Sequence, residues 1–269
     1  MPRSKVCSRV TRWVVALLVA ACFSAGPACA GNRLALVIGN SGYANASDLI
    51  HAARDARDIA ARFRKMGIEV HDGYNLSLGE MRQLVNGFRT RIKQVDAADV
   101  LLYYAGHGFS LDGADYLVPV DAALNDRQTA MFEVMGLEAI VNRTRPGGGR
   151  SLVVFFDACR DSPLPGRAAA GEKSVGSPAI PPGVLISYAT EFGRPTWDGK
   201  GTHSPYARAL LASLGAEPMH IETLLTKIGR SVRAETNGRQ LPAARGSLSG
   251  PFEFGALYSE TDPPDRPGS

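Results

Sequence analysis

The sequence predicts an α/β domain built on a mostly parallel central sheet with helices on both faces. Continuous apolar runs at residues 34–38 and 152–156 are typical of strands that are buried on both faces of a sheet, and residues 184–188 are predicted to form another strand. Between such runs, apolar residues recur at helical spacing. Strands that alternate with helices in this way form parallel sheets covered on both sides. The 269 residues suffice for one such domain with a tail.

In the N-terminal half, the predicted strands alternate with two amphipathic helices. Apolar residues over 56–66 follow a helical period, and the Gly67 that comes next is typical of a helix C-cap. Ser77 and Glu80 form a capping box that opens the second helix, which continues to Val95. The strands of this half are predicted over residues 34–38, 68–71 and 99–104.

The C-terminal half contains a hairpin, three further helices and one segment of different composition. Asp112-Gly113 predicts the hairpin turn, and Ser204-Pro205 is typical of a helix start. Residues 161–183 are rich in Pro, Gly, Ala and Ser, lack an apolar period and are predicted to form an exposed, mobile loop. The other elements are predicted as a hairpin over 111–118, helices over 131–143, 204–214 and 221–232, strands over 152–156 and 184–188, and an edge strand at Phe252 and Phe254.

Residues 1–30 have the features of a secretory signal peptide. Basic residues between Arg3 and Arg12 precede an apolar run over 13–23, and residues 28–30 (Ala-Cys-Ala) fit a signal-peptidase site. The run is shorter than the roughly 20 residues that a membrane-spanning helix needs. We therefore expect cleavage after residue 30 and export to the periplasm or the extracellular space.

Two alternatives remain open for this leader. The apolar run is also compatible with a short membrane anchor that stays attached. Residues 19–22 (Val-Ala-Ala-Cys) resemble a bacterial lipobox, which would lipidate Cys22. A membrane is expected as a partner only if Cys22 is lipidated, and the oligomeric state is left open.

Composition and cysteine content narrow the class of protein. The 45% hydrophobic and 21% charged residues are ordinary for a globular domain and exclude a multi-span membrane protein or a fibre. The leader carries four of the 30 Lys and Arg residues, so the other 26 balance the 26 acidic residues and give no reason to expect nucleic-acid binding. Cleavage after residue 30 would remove Cys7, Cys22 and Cys29. Cys159 would then be either an inert core residue or a thiol with a chemical use.

Two predicted strands run directly into residues with catalytic potential. His107 follows the third strand between Gly106 and Gly108, and Cys159 follows the strand at 152–156. Because parallel strands end at the same edge of a sheet, the two side chains are expected to lie close together. An imidazole is a suitable base for a thiol nucleophile, and the backbone N–H groups of Gly108 and Cys159 are candidates for binding an oxyanion.

These segments resemble the catalytic segments of the caspase-like cysteine peptidases of clan CD, and most of all their bacterial metacaspase-like branch. The matching segments are YYAGHG at 103–108, DACR at 157–160, GNSGY at 39–43, RDA at 54–56 and SYAT at 187–190. The resemblance covers residues 32–255 and implies a three-layer αβα sandwich with a mostly parallel central sheet. It also implies that the protein hydrolyses peptide bonds, with Cys159 as nucleophile and His107 as base.

The resemblance further implies a division into parts. Residues 31–160 correspond to the large-subunit region, 161–183 to a linker loop and 184–258 to the small-subunit region, with a disordered tail over 259–269.

Two acidic residues point to basic substrates. Asp157 stands where caspases carry a Gln, and in metacaspases the Asp at that position pairs with a second acid, which Asp55 matches. Two carboxylates in one pocket favour a cation over an aspartate side chain, so the expected substrates are proteins or peptides with Arg or Lys at the cleaved bond. The alternatives are that Asp55 is a solvated acid in the first turn of a helix and that Asp157 bonds to the local backbone.

No cofactor or metal is expected. His51, His71 and His220 show no metal-ligand spacing and are predicted to be exposed, while His203 is expected at the surface or at the border of the site. Asp112, Asp115, Asp121 and Asp126 do not fit an EF-hand loop, although some metacaspases need calcium.

Three functional hypotheses compete. The first is an exported cysteine endopeptidase that cuts after Arg or Lys, and the second is a caspase-like binding domain with little or no turnover. The third is another thiol hydrolase or acyl transferase on the same sheet. Since Arg167 and Lys173 lie in the loop that follows the nucleophile, the first hypothesis also predicts that the protein can cut itself after one of them.

Overall fold

The computed structural model describes residues 33–95, 99–159, 179–191, 196, 201–215 and 217–255. The predicted signal peptide, the possible self-cleavage sites Arg167 and Lys173, and the predicted tail all lie outside the described residues. None of the helices in these ranges is both long enough and apolar enough to cross a bilayer.

Within the described ranges, the chain forms eleven strands and six helices. The strands are β1 (Leu34–Gly39), β2 (Glu69–Tyr74), β3 (Val100–Gly106), β4 (Gly108–Leu111), β5 (Ala114–Leu117), β6 (Met135–Gly136), β7 (Leu152–Ala158), β8 (Val184–Tyr188), β9 (Met219–His220), β10 (Ala243–Ser247) and β11 (Glu253–Phe254). The helices are α1 (Ala52–Lys65), α2 (Leu78–Gln94), α3 (Arg127–Glu133), α4 (Leu137–Thr144), α5 (Pro205–Ser213) and α6 (Ile221–Glu235).

The central sheet confirms the predicted α/β class. In the described residues it has six strands in the order β10-β8-β7-β3-β1-β2. All neighbours are parallel except β10, which runs antiparallel to β8 at one edge. The strands with continuous apolar runs, β1, β3 and β7, lie in the middle and are buried along their whole length. Buried neighbours on both faces explain why these strands lack an alternating pattern.

Helices cover both faces of the sheet, which confirms the three-layer arrangement. Ala35 and Val37 of β1 pack in one core with Phe63 of α1, and residues of α5 and α6 belong to the same core. The alternate residues of β1 pack in a second core with α2 and α4, where Phe88 is fully buried. Successive side chains of a strand point to opposite faces, so one apolar run serves both cores.

The helix predicted over 131–143 is wrong in one respect, because the chain forms two helices there. Helix α3 ends at Glu133, and Met135–Gly136 then forms the short strand β6, which pairs with β5. Gly136 is the N-cap of α4 and has an extended backbone (φ −66°, ψ 132°). Glycine is a poor helix former. The pairing of β6 with β5 therefore interrupts the helix at Gly136, although the apolar residues continue with a helical period.

The edge strand predicted at Phe252 and Phe254 is also wrong in its placement. Both residues are buried, but β11 pairs with β9 in a separate two-stranded sheet rather than with the central sheet. The edge position is taken by β10, whose sequence Ala-Ala-Arg-Gly-Ser has no apolar alternation. A strand that is only partly buried at a sheet edge carries little hydrophobic signal, so periodicity does not reveal it.

Candidate active site

His107 and Cys159 lie at the C-terminal ends of neighbouring strands and line the same pocket. Strands β3 and β7 are paired up to Gly106 and Ala158, so His107 and Cys159 are the next residues on each strand. Neighbouring strands are about 4.8 Å apart, which places the two side chains at the same point of the sheet edge. The pocket between them has a volume of about 330 Å³.

Two tyrosines fix the backbone of His107. Its N–H donates to the Tyr43 hydroxyl (2.7 Å), and its carbonyl accepts from the Tyr104 hydroxyl (2.6 Å). The Tyr43 ring also packs against the imidazole, with ring centroids 4.5 Å apart. Burial raises the pKa of Tyr43 well above its usual value, so its hydroxyl stays neutral. A Cβ on Gly106 would lie 2.6 Å from the Tyr104 hydroxyl and 2.8 Å from that of Tyr43, so this arrangement requires glycine there.

The side chain of His107 is oriented by a backbone carbonyl. Its Nε2 lies 2.8 Å from the carbonyl oxygen of Ser47, in the loop between β1 and α1. A carbonyl oxygen only accepts hydrogen bonds, so Nε2 carries the proton and Nδ1 of the neutral ring is left with the lone pair. The imidazole is therefore held in the tautomer whose Nδ1 can accept a proton.

Cys159 is a partly buried free thiol beside Thr196. The Thr196 hydroxyl oxygen lies 2.8 Å from Sγ, and the Thr196 N–H donates to the same sulfur over 3.4 Å. Thr196 also lines the pocket. Sequence reasoning did not identify Thr196, because no local pattern connects it with a residue 37 positions earlier.

Asp55 is buried in the pocket, which contradicts the alternative of a solvated helix acid. Its side chain is 1% exposed, because α1 lies very close to the sheet. A Cβ on Gly39 of β1 would approach the Cβ of Ala56 to 2.4 Å, so only glycine allows this contact. The neighbouring residue along the helix is Asp55, and the close approach brings it to the ends of the strands.

Asp55 and Asp157 are joined by Ser204. The Ser204 N–H donates to Asp55 (3.1 Å), and its hydroxyl donates to Asp157 (2.7 Å). The Tyr103 hydroxyl also donates to Asp157 (3.2 Å), which is 8% exposed. Ser204 is at the same time the N-cap of α5, accepting from Ala207 N–H as the sequence predicts. We call the surface formed by Asp55, Asp157 and Ser204 the acidic wall of the pocket.

Burial has an electrostatic consequence for the acidic wall. Loss of solvent raises the pKa of Asp55 to about 7, although hydrogen bonds from Ser204 lower it in part. The carboxylate therefore changes charge near neutral pH rather than near pH 4. The negative charge of a buried carboxylate can attract a cationic ligand, but the same buried charge lowers the stability of the folded protein.

The exposure of the other histidines differs in part from the prediction. His51, expected to be exposed, is 6% exposed and lines the pocket. His71 is half-buried and lies 2.9 Å from Glu69, whereas His220 is exposed as expected. His203, expected at the surface or the border of the site, is partly buried and contacts Asp55. In the parts of the chain that the structure describes, no group of three or more His, Cys, Asp or Glu residues is arranged to hold a metal ion.

The predicted oxyanion residues are placed as follows. Gly108 begins β4, is buried and pairs with Leu117 in the hairpin. It does not belong to the described residues that line the pocket, whereas Cys159 does. The roles of the Gly108 and Cys159 N–H groups therefore stay predictions.

Comparison with known proteins agrees with this arrangement. The profile of the caspase domain family of peptidases matches residues 32–253. Human mucosa-associated lymphoid tissue lymphoma translocation protein 1 is 29% identical over 131 residues, which are 49% of this chain and 15% of the human protein. Its homolog from Mus musculus is 26% identical over 235 residues, which are 83% of this chain and 26% of the mouse protein. The chain therefore spans about a quarter or less of the length of these relatives.

Proposed function

This chain belongs to the caspase domain family of peptidases, and on that premise we propose that it is an exported cysteine endopeptidase that cuts after Arg or Lys. The observation that carries the proposal is the convergence of four side chains on one pocket, which is lined by Cys159, His107, Asp55 and Asp157. The first two supply a nucleophile and a base, and the other two supply negative charge for a basic side chain.

In the proposed mechanism, Nδ1 of His107 takes the proton of the Cys159 thiol. The thiolate attacks the carbonyl carbon of the scissile bond, and negative charge collects on the carbonyl oxygen. When the C–N bond breaks, the imidazolium gives its proton to the leaving amine, and a thioester remains on Cys159. A water molecule, deprotonated by the same imidazole, then hydrolyses the thioester and restores the thiol.

The acidic wall supports the specificity for basic residues. Two carboxylates at one end of the pocket attract a guanidinium or ammonium group, and they repel the carboxylate of an aspartyl substrate. Ser204 keeps both acids oriented toward this common space. The Tyr103 hydroxyl donates a hydrogen bond to Asp157, and Ser204 is itself held as the N-cap of α5.

Export is supported by the leader sequence alone. Its basic segment, apolar run and Ala-Cys-Ala site are the features of a cleaved signal. Mass measurement of the protein from its native host tests this proposal. An N-terminus at Gly31 is expected, while a lipid-modified N-terminus at Cys22 would favour the alternative of a membrane-anchored protein.

Covalent trapping tests the proposed site as a whole. A peptide chloromethyl ketone that ends in Arg should alkylate Cys159, because the acidic wall holds the Arg side chain and His107 activates the sulfur. The matched inhibitor that ends in Asp should react far more slowly. Mass spectrometry of the labelled peptide locates the modification. Labelling of Cys159 by both inhibitors at equal rates would contradict the specificity, and no labelling by either would favour a silent binding domain.

A further inference from the structure

His203 contacts Asp55 of the catalytic pocket and lines a second, outer pocket. Its Nδ1 lies 2.7 Å from an oxygen of Asp55, on the side of the catalytic pocket. Its Nε2 lies 3.5 Å from Asp58, on the side of an outer pocket of about 470 Å³ that His203 also lines. The His203 side chain is 20% exposed and that of Asp58 is 49% exposed. A proton can therefore reach the imidazole from solvent while its other nitrogen faces a buried carboxylate.

Two arginines hold the backbone around His203 in place. Arg54 of α1 donates to the carbonyl of Thr202 (3.2 Å), and Arg208 of α5 donates to the carbonyl of His203 itself (2.8 Å). The next residue, Ser204, is held as the N-cap of α5. The backbone around His203 is thus tied to two helices, and the contact with Asp55 is a built feature of the site.

We propose that His203 is a specificity-determining residue that restrains the affinity of the pocket for Arg and Lys side chains until it and Asp55 release the proton they share. This inference rests on the proposed function, since it assigns a regulator to the same cation-binding pocket.

The charge of the pair follows from how many protons it holds. With one proton, the pair is neutral, whether the proton lies on the imidazole or on the carboxyl group. After that proton leaves, Asp55 carries a full negative charge beside a neutral ring. Burial raises the pKa of Asp55 to about 7, and the His203 imidazole lies within hydrogen-bond distance of this carboxyl group. Groups this close titrate as a pair, and the final proton leaves the pair at a higher pH than it would leave Asp55 alone.

Other charged groups also lie around the pair. They are Arg54 and Asp58 of α1, Arg62 and Lys65 at the outer pocket, Arg208 of α5, Glu235 of α6, which pairs with Arg208, and Asp157 across Ser204. The catalytic pocket is also lined by two other histidines, His51 and His107, and by the thiol of Cys159. Because other ionisable groups line the same pocket, the test compares the wild-type protein with a protein that lacks only the imidazole of His203.

The variant His203→Asn makes that difference measurable. The Asn amide group can occupy the place of Nδ1 and donate to Asp55, but it carries no titratable proton. In this variant, Asp55 becomes fully charged at its own, lower pKa. The gain in affinity for an Arg peptide should therefore occur about one pH unit lower than in the wild-type protein, because an opposite charge at this distance moves a titration by about 1–3 pH units. Between the two midpoints, the variant should bind the Arg peptide up to about tenfold more tightly.

The measurement is the dissociation constant of an Arg-ending peptide by calorimetry from about pH 5 to about pH 8.5, with both proteins carrying Cys159→Ala so that nothing is cleaved. A norleucine-ending peptide gives the part of the binding that does not depend on a cation. Heats in two buffers of different ionisation enthalpy give the protons released. Near the wild-type midpoint, the Arg peptide should release more protons from the wild-type protein than from the variant. His220→Asn, which removes an exposed histidine of β9, should leave the profile unchanged.

Damage to the fold would weaken binding at every pH, so tighter binding by His203→Asn distinguishes charge control from a structural role. Equal midpoints in the two proteins, or weaker binding by the variant at all pH values, would overturn the inference. Binding that follows the expected profile without hydrolysis by the wild-type protein would contradict the peptidase but keep the inference. Failure of the Arg peptide to bind at any pH would overturn both.

Discussion

The two sides of the catalytic pocket are held in opposite ways. His107 is positioned by neutral groups, namely the hydroxyls of Tyr43 and Tyr104 and the carbonyl of Ser47. The acidic wall instead places two carboxylates where water is largely excluded, and a titratable imidazole is in direct contact with Asp55. The neutral side is held by hydrogen bonds between uncharged groups, whereas the acidic wall holds two buried carboxyl groups that are both bonded to Ser204. We infer that the neutral side orients His107 and that the acidic wall binds a basic group of the substrate.

The largest expected effect concerns the proposed nucleophile Cys159 and the proposed base His107. Cys159→Ala and His107→Ala should each abolish measurable peptidase activity, since loss of a general base alone costs about 10² to 10⁴ in rate. Initial rates with an Arg-ending peptide give the result, and circular dichroism checks the fold. His71→Asn on β2 is the matched histidine control. Equal activity in the wild-type protein and Cys159→Ala would contradict the proposed nucleophile.

Burial of Asp55 should make the stability of the protein depend on pH. Because burial raises the pKa of Asp55 to about 7, the native state binds this proton more tightly than the unfolded chain does. The contribution of this proton to the free energy of unfolding is therefore fully present below about pH 4, and it is lost as the pH rises through about 7. Asn has no charge to bury, so Asp55→Asn should become the more stable protein at high pH. The gain should reach up to about 4 kcal/mol, because each tenfold difference in proton affinity between the folded and unfolded states corresponds to about 1.4 kcal/mol.

Urea unfolding of both proteins at about pH 4.5, about pH 6 and about pH 8 measures this effect. The difference in the free energy of unfolding should grow with pH in favour of Asp55→Asn. A difference that shrinks as the pH rises would mean that Asp55 is stabilised as a carboxylate in the folded protein, and the comparison between the two sides would fail.

Asp157→Asn tests the acidic wall through specificity. Loss of a charge-assisted contact with the substrate costs about 1.5–3 kcal/mol, so kcat/KM for an Arg-ending peptide should fall roughly 10- to 150-fold. The Ser204 hydroxyl and Tyr103 can still donate to the amide oxygen, and the fold should therefore persist. Asp126→Asn, at an exposed acid before α3, is the control. An unchanged kcat/KM would place the substrate's basic group elsewhere.

Tyr43→Phe tests the neutral side. It removes the acceptor of the His107 N–H and leaves the ring in place. An unsatisfied buried donor costs about 1–3 kcal/mol, so we expect kcat to fall roughly 5- to 150-fold with KM little changed. Tyr74→Phe removes a tyrosine hydroxyl on β2, away from the site, and should have no effect on kcat. A change in KM alone would assign Tyr43 to substrate binding instead of orientation.

Self-processing is expected to give the smallest signal. Arg167 and Lys173 follow Cys159 closely in the sequence and would offer the acidic wall a basic side chain of the same chain. Part of the purified wild-type protein should be cut after one of them, with the fragments held together by β7 and β8 of one sheet. Intact-mass spectra of the wild-type protein and Cys159→Ala provide the measurement. Cleavage in both proteins, or in neither, is the outcome that would refute it.

The sequence predicts the residues whose signals are local. His107 and Cys159 follow strongly apolar strands, and the Ser204 cap follows from a short motif, so all three can be located without the structure. The close approach of Gly39 to α1, which buries Asp55, is not visible in the sequence, because it depends on packing between elements. The Ser47 carbonyl carries no side-chain signal at all. The burial of His51 is equally hidden, since its neighbour Ile50 is exposed and no apolar pattern leads into the residue.

The central claim is that a Cys-His pair beside two buried acids makes a peptidase for basic residues. The most direct measurement is kcat/KM for fluorogenic peptides that differ only in ending with Arg, Lys or Asp, using a protein that begins at Gly31 and its Cys159→Ala variant. The account predicts hydrolysis after Arg and Lys by the wild-type protein, much slower hydrolysis after Asp, and none by Cys159→Ala. Preferred cleavage after Asp, or equal rates in the wild-type protein and Cys159→Ala, would contradict it.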